Sequence, residues 1–165
     1  MRKENKRIVV GGASDSASTI FNVFNVARNR YQVELDPECL RLVDEVNLLY
    51  TALRREKIIY GDSTGFGERV DHYASPDQDK EKNRNLVYSL NCGSGDFLRR
   101  DQARAAMFAR ILVLSKAHSG VRPAIIACLA DMLNQNKIPK VPSLGSIGAS
   151  GDLIPSSYVA MEVLK

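Results

Sequence analysis

The tripeptide Ala149-Ser150-Gly151 offers chemistry that ordinary side chains lack. If the amide nitrogen of Gly151 attacks the carbonyl carbon of Ala149, a five-membered ring closes through the backbone of Ser150. Glycine has no Cβ to obstruct its nitrogen, alanine is small, and serine can shed its hydroxyl as water to leave an exocyclic methylidene conjugated to the ring. The product is an electrophile made from protein alone. Side chains otherwise supply nucleophiles, acids and bases, so a chain that needs an electron sink must borrow a cofactor or build one. Spacing by itself also allows a plainer role, in which Gly145, Gly148 and Gly151 form a turn with positive φ and Ser150 or Asp152 caps the helix that follows.

Positioning such a group falls to segments that read as mainly helical with a few short strands. Residues 8–10 predict a strand closed by Gly11-Gly12, after which Ser14 or Asp15 caps a helix with Ile20, Val23, Phe24 and Ala27 on one face. Val33 and Leu35 alternate in a second extended piece. Asp36-Pro37 is a good helix start, because the carboxylate can accept from free amides and proline at the first position loses no bond. Leu42, Val46, Leu49 and Leu53 follow at helical spacing, and the basic residues at 54, 55 and 57 sit where a helix C-terminus favours positive charge.

Residues 60–67, YGDSTGFG, form a glycine-punctuated loop, residues 71–82 are polar enough to be exposed, and a helix resumes near Asn83. The strongest helical pattern covers residues 101–117, with Ala103, Met107, Ile111 and Leu114 in one stripe. Ser119-Gly120-Val121-Arg122-Pro123 breaks it, and Pro123 opens another helix with Ile126, Leu129 and Leu133 facing inward. Val159 and Val163 mark a last helix after Pro155. No repeat, linker or low-complexity tract divides residues 1–165, so a single unit is expected.

Composition narrows the function classes. The 165 residues are 44% hydrophobic and 25% charged, as in soluble globular proteins. Net charge is +4 and the basic residues are scattered along the chain, without the dense stripe that nucleic-acid binding requires. Cys39, Cys92 and Cys128 lack the close pairing of metal sites or disulfide frameworks, so no metal is expected and the thiols read as reduced. No apolar run approaches the roughly 20 residues that span a bilayer, and a cytoplasmic location is expected. Neither Gly11-Gly12 nor the glycines at 145–151 have the Lys and Ser/Thr of a phosphate-binding loop.

Residues 145–160, GSIGASGDLIPSSYVA, resemble the signature of the aromatic amino acid lyase family, the histidine, phenylalanine and tyrosine ammonia-lyases and related aminomutases that carry a methylidene-imidazolone group. Ala149, Ser150 and Gly151 match the residues that condense to form it. The loop at 60–67 is similar to the family's tyrosine loop, and Ser119-Gly120-Val121-Arg122-Pro123 with Val141-Pro142 matches the hairpin before the signature. Together these cover nearly the whole chain from Arg30 onward.

The resemblance implies the N-terminal portion of the ammonia-lyase helical fold and a prosthetic group formed autocatalytically from Ala149, Ser150 and Gly151. The implied reaction eliminates ammonia from an aromatic L-amino acid to give an arylacrylate, with re-addition at the β-carbon in the aminomutases; a truncated, non-catalytic assembly module is the other class. Tyr60 matches the catalytic base that takes the β-proton, a role for which a phenol with an ordinary pKa of about 10 needs a site that stabilises phenolate. Gly67, Ser89, Leu90 and Leu153 match positions lining the substrate pocket. Ser89-Leu90 stands where histidine lyases have Ser-His, tyrosine lyases His-Leu and phenylalanine lyases Phe-Leu. An apolar wall at Leu90 would pair poorly with imidazole, so histidine is disfavoured and phenylalanine and tyrosine stay open.

The chain departs from the family pattern at two places. Asp62 replaces an apolar residue, and this carboxylate would oppose phenolate unless it faces away. Lys82-Asn83 replaces Leu-Gln. Family members are longer and assemble as homotetramers, so a second copy or a complementary C-terminal chain is expected to supply the residues that clamp the substrate carboxylate.

Overall fold

A computed structural model describes residues 6–11, 17–73, 79–148 and 151–164. Among them the chain is mainly α, with six helices and four short strands in the order β1 (Arg7–Val10), α1 (Ile20–Ala27), β2 (Gln32–Leu35), α2 (Pro37–Glu56), α3 (Asp79–Leu90), β3 (Ser94–Phe97), α4 (Arg100–Leu114), α5 (Pro123–Asn134), β4 (Pro142–Leu144) and α6 (Leu153–Val163). No helix among the described residues is long and apolar enough to cross a membrane.

The expected strand at 8–10 pairs in parallel with the extended piece around Val33, placing Ile8 opposite Val33 and Val10 opposite Leu35. Both Ile8 and Val10 are buried. The free edge of β2 is completed by a side chain: Asn134 accepts from Val33 N–H and donates to Val33 C=O, each at 2.8 Å, so its amide does the work of a missing strand. Helix α2 starts as its sequence dictates, with Asp36 Oδ1 accepting from Glu38 N–H at 2.8 Å and proline at the first position. Arg54 and Arg55 fill its last turn.

Helix α4 is the axis of the core. Ala103, Met107, Ile111 and Leu114 are all buried, Phe108 joins them, and Ile126, Leu129 and Leu133 of α5 pack against this stripe. The helix runs from Arg100 and stops at Leu114, three residues short of the expected end, because Ala117 takes a left-handed φ of 57°. One charged residue enters this core. Arg104 is 2% exposed, and its guanidinium donates to Val26 C=O at 2.9 and 3.0 Å and to Leu133 C=O at 2.9 Å. Both carbonyls lie in the last turns of their helices, α1 and α5, where unpaired acceptors and the helix dipole favour a cation.

Several expectations are corrected by what packs against what. Ile20 is 81% exposed and Phe24 also faces outward, whereas Val26 and Ala27 are the buried residues of α1. That helix is capped by Thr19, which accepts from Asn22 N–H; Ser14 and Asp15 lie outside the described residues. On α2 the buried pair is Cys39 and Val43, while Leu42, Leu49 and Leu53 are exposed, Leu49 by 70%. The spacing found a real apolar stripe, of which Val46 packs against the core while Leu42, Leu49 and Leu53 stay exposed. Burial pushes the Cys39 thiol above its ordinary range. Helix α3 begins at Asp79, four residues before Asn83, and α6 begins at Leu153, with Pro155 inside its first turn, where a missing N–H costs no bond. Asp152 precedes α6 but caps nothing: its φ is 51° and its carboxylate receives the Ser146 hydroxyl. Strands β3 and β4, an antiparallel pair with Ser94 opposite Leu144, join two segments that carry no alternating pattern.

Candidate active site

The loop between α2 and α3 is closed on itself by short-range bonds. Thr64, 2% exposed, accepts from Gly61 N–H at 3.1 Å and donates to Gly65 C=O at 2.9 Å, while Ser63 Oγ accepts from Ile59 N–H at 2.8 Å. This fixes the backbone around Tyr60. The ring itself is 62% exposed and meets Phe66 edge-on, with centroids 6.0 Å apart at 87°. Gly67 N–H donates to Tyr60 Oη at 3.0 Å. Gly67 therefore touches the phenol oxygen, and its φ of 55° suits glycine and orients the amide.

Asp62 turns away from Tyr60. Its two carboxylate oxygens accept from Arg54 Nε and Nη2 at 2.8 and 2.9 Å, a two-pronged pair with side chains 25% and 18% exposed. Lys82 reaches across from α3 and donates to Asp62 C=O and, at 2.8 Å, to Thr64 C=O. Asp62 in the loop and Lys82 on α3, both departures from the family pattern, thus meet and are both bonded there. Arg54, Thr64 and Lys82 are structural parts of this site that the sequence did not assign. Arg54 reads from sequence as a dipole partner of its own helix, and no local pattern links it to a residue eight positions on. Asp62→Ala is expected to lower stability by ~1–2 kcal/mol, and a double-mutant cycle with Arg54→Ala in urea unfolding should recover most of that as pairwise coupling.

Helix α3 connects this loop to the signature segment. Lys82 near its start holds the tyrosine loop; just past its end, Asn91 Nδ2 donates to Ser157 Oγ at 3.2 Å, and Tyr158 Oη of α6 approaches Gly93 C=O at 3.5 Å. Eight helical residues separate the two anchors, roughly 14 Å of rise. Ser89 and Leu90 are in the last turn of α3 beside this second anchor; Ser89 is exposed and its hydroxyl donates to Leu86 C=O at 2.9 Å, and Leu90 is half-buried. Leu153, partly exposed, opens α6.

In the signature segment the glycines take the expected positive φ: 136° at Gly145, 79° at Gly148 and 75° at Gly151. A Cβ on Gly145 would lie 2.8 Å from Ile154 Cγ2 and 3.3 Å from Gly93 Cα, so this glycine allows β4, α6 and the loop after α3 to close together. A Cβ on Gly151 would meet nothing within 4 Å. Gly148 N–H donates to Ser146 Oγ at 3.1 Å, and that hydroxyl continues to Asp152. Ala149 and Ser150 lie outside the described residues. Ser89 and Leu90 lie in the last turn of α3, whose following loop is tied to α6 through Asn91 and Ser157, while the loop that holds Tyr60 and Gly67 is tied to the start of α3 by Lys82; no hydrogen bond joins Tyr60 or Gly67 to Ser89, Leu90, Gly151 or Leu153 among the described residues.

The family model described as aromatic amino acid lyase matches residues 18–164. The chain is 34% identical over 160 residues to histidine ammonia-lyase of Alkaliphilus oremlandii, covering 96% of this chain and 31% of that protein. It is 37% identical over 147 residues to the MIO-dependent tyrosine 2,3-aminomutase of Streptomyces globisporus, covering 88% of this chain and 27% of that protein. The crystal structure of tyrosine aminomutase from Streptomyces globisporus superposes with a TM-score of 0.81 at 36% identity, over 86% of this chain and 27% of that one. The chain spans less than a third of the length of these relatives. With the match running from just before α1 through α6, the chain belongs to the aromatic amino acid lyase family.

Proposed function

We propose that this chain is the N-terminal, electrophile-bearing portion of an aromatic amino acid ammonia-lyase acting on phenylalanine or tyrosine. The observation that carries the reading is the Ala149-Ser150-Gly151 tripeptide, whose last residue is a glycine in open space with a positive φ just before α6. These residue types fit a methylidene-imidazolone: glycine leaves its nitrogen unobstructed by a Cβ, alanine is small, and serine carries the hydroxyl that is lost. That group, when formed, supplies an electron-poor carbon that activates the substrate amine as a leaving group. Tyr60 Oη removes the β-proton, its position fixed by Gly67 N–H. The Arg54 pair keeps the Asp62 carboxylate from competing for the same space. Leu90 and Leu153 supply apolar wall for the substrate ring, and Ser89 leaves room for a ring substituent.

The Tyr60 loop is tied to the start of α3 and α6 to the loop after its end, so in this reading each catalytic centre combines elements of different copies or of a complementary chain, which also supplies the carboxylate clamp. The exposed stripe of α2 supports such an assembly. A tyrosine 2,3-aminomutase outcome is the second reading, favoured by the 37% identity to the Streptomyces globisporus enzyme.

Intact-mass spectrometry tests the central step. Loss of two waters, about 36 Da, with a new near-ultraviolet absorbance is expected of a backbone-built group of this type. Product analysis after incubation with phenylalanine, tyrosine and histidine then separates arylacrylate from β-amino acid. An assembly that turns over while residues 149–151 keep their full encoded mass overturns the reading.

A further inference from the structure

Five arginines that are scattered in the sequence converge on one cleft. Arg28, Arg30, Arg99, Arg100 and Arg104 line a depression of about 380 Å³ whose sole carboxylate is Asp101. Asp101 is shared: Arg28 Nε lies 2.9 Å and Arg99 Nε 3.2 Å from its oxygens, and the Arg99 hydrogen bond holds its carboxyl below the usual carboxylate range. Arg100 donates to the side chain and backbone carbonyl of Asn136, both neutral. Arg104 is held by the helix-end carbonyls of α1 and α5; burial, and then the charges of Arg30 and Arg100, depress its pKa, as expected where like charges meet without enough anions between them. Arg30 has no carboxylate or hydrogen-bond partner among the described residues, and it holds its place with a left-handed φ of 56°. A guanidinium cluster with one shared carboxylate is short of negative charge, and its forked donors match phosphate oxygens.

A second depression of about 240 Å³ adjoins the first, sharing Ala27, Arg28 and Asp101 and continuing over Ile20, Val23, Phe24 and Ala105. Ile20 and Phe24 are the outward-facing apolar residues of α1. The groove is thus cationic at one end and apolar at the other.

We propose that this groove between α1 and α4 binds a small organic phosphate, its charged head among Arg28, Arg30, Arg99 and Arg100 and an apolar, ring-sized group against Ile20, Val23 and Phe24. The arginines gather around one shallow depression instead of running along a face, which fits a compact anion better than a nucleic-acid strand. None of the residues belongs to the tyrosine loop, the end of α3 or the signature segment, so the proposal stands independently of the catalytic reading.

Calorimetric titration of the chain with phenyl phosphate and with inorganic phosphate, at ionic strength fixed with sodium chloride, tests it. Phenyl phosphate should bind about tenfold more tightly than inorganic phosphate, the gain expected from burying one ring face. Arg30→Gly keeps a residue suited to the positive φ and should weaken both ligands by about fivefold or more; Arg99→Gln, at an exposed position, should do the same. Phe24→Ser should abolish the advantage of phenyl phosphate and leave inorganic phosphate unchanged. Equal affinity for the two probes, binding that simply follows ionic strength, or Arg30→Gly and Arg99→Gln variants that remain folded by circular dichroism and bind like the parent would overturn the proposal.

Discussion

Replacing Ser150 by Ala is expected to leave the chain at its encoded mass and to eliminate turnover by the assembly that contains it. Alanine has no hydroxyl to lose, so the ring carbon that would take the substrate amine is never unsaturated, and no other side chain in the sequence offers an equivalent electrophile. Tyr60→Phe serves as the partner experiment. It should retain the loss of about 36 Da, because ring closure uses only residues 149–151, while turnover falls by about 10²–10⁴-fold, the usual contribution of a positioned proton acceptor. The two variants therefore separate making the electrophile from using it. If Ser150→Ala retains full activity, the tripeptide is only a turn before α6, as its glycines alone would allow.

Arg104→Met should cost ~3 kcal/mol of folding stability, read as a lowered midpoint in urea at unchanged slope. Methionine fills a similar volume, so the loss comes from the hydrogen bonds and the cation. Val26 C=O receives its two donors from this one guanidinium, and the substitution leaves that acceptor, at a helix end in the core, without either. Arg104→Lys should recover less than half of the loss, because an ammonium on a flexible stem cannot reproduce the fork that spans α1 and α5. Equal stability of the Met variant and the parent would mean that the helix ends find other donors.

The same residue marks where sequence reading stops. The pattern from Ala103 to Leu114 predicts both α4 and its buried face, because apolar residues three and four apart share a side and that side had to pack on something. Asp36-Pro37 likewise gives the start of α2, since a cap is made with the next few residues. On α2 and α1 the period also held, yet Leu42, Leu49, Leu53, Ile20 and Phe24 are exposed, because helical spacing identifies a stripe without identifying what covers it. Pairing of β3 with β4 was illegible for a similar reason: about 45 residues separate the two strands, and both contain glycine or proline instead of alternation.

Near the site, Asp62 read as a charge close to Tyr60, and only the fold turned it to Arg54. Lys82 read as a departure from the family, and the fold made it the tie between α3 and the tyrosine loop. The arginines at 28, 30, 99, 100 and 104 read as dispersed charge and became one cationic cleft when α1 settled against α4. What the amino-acid order alone determined is local: a tripeptide able to close on itself, the helix starts, and the stripe on α4, all set by bonds and contacts within a few residues. What the tertiary structure decided is which of these meet, because side-chain direction along a helix follows from its period, whereas the neighbour on the other side is chosen by the packing of distant segments.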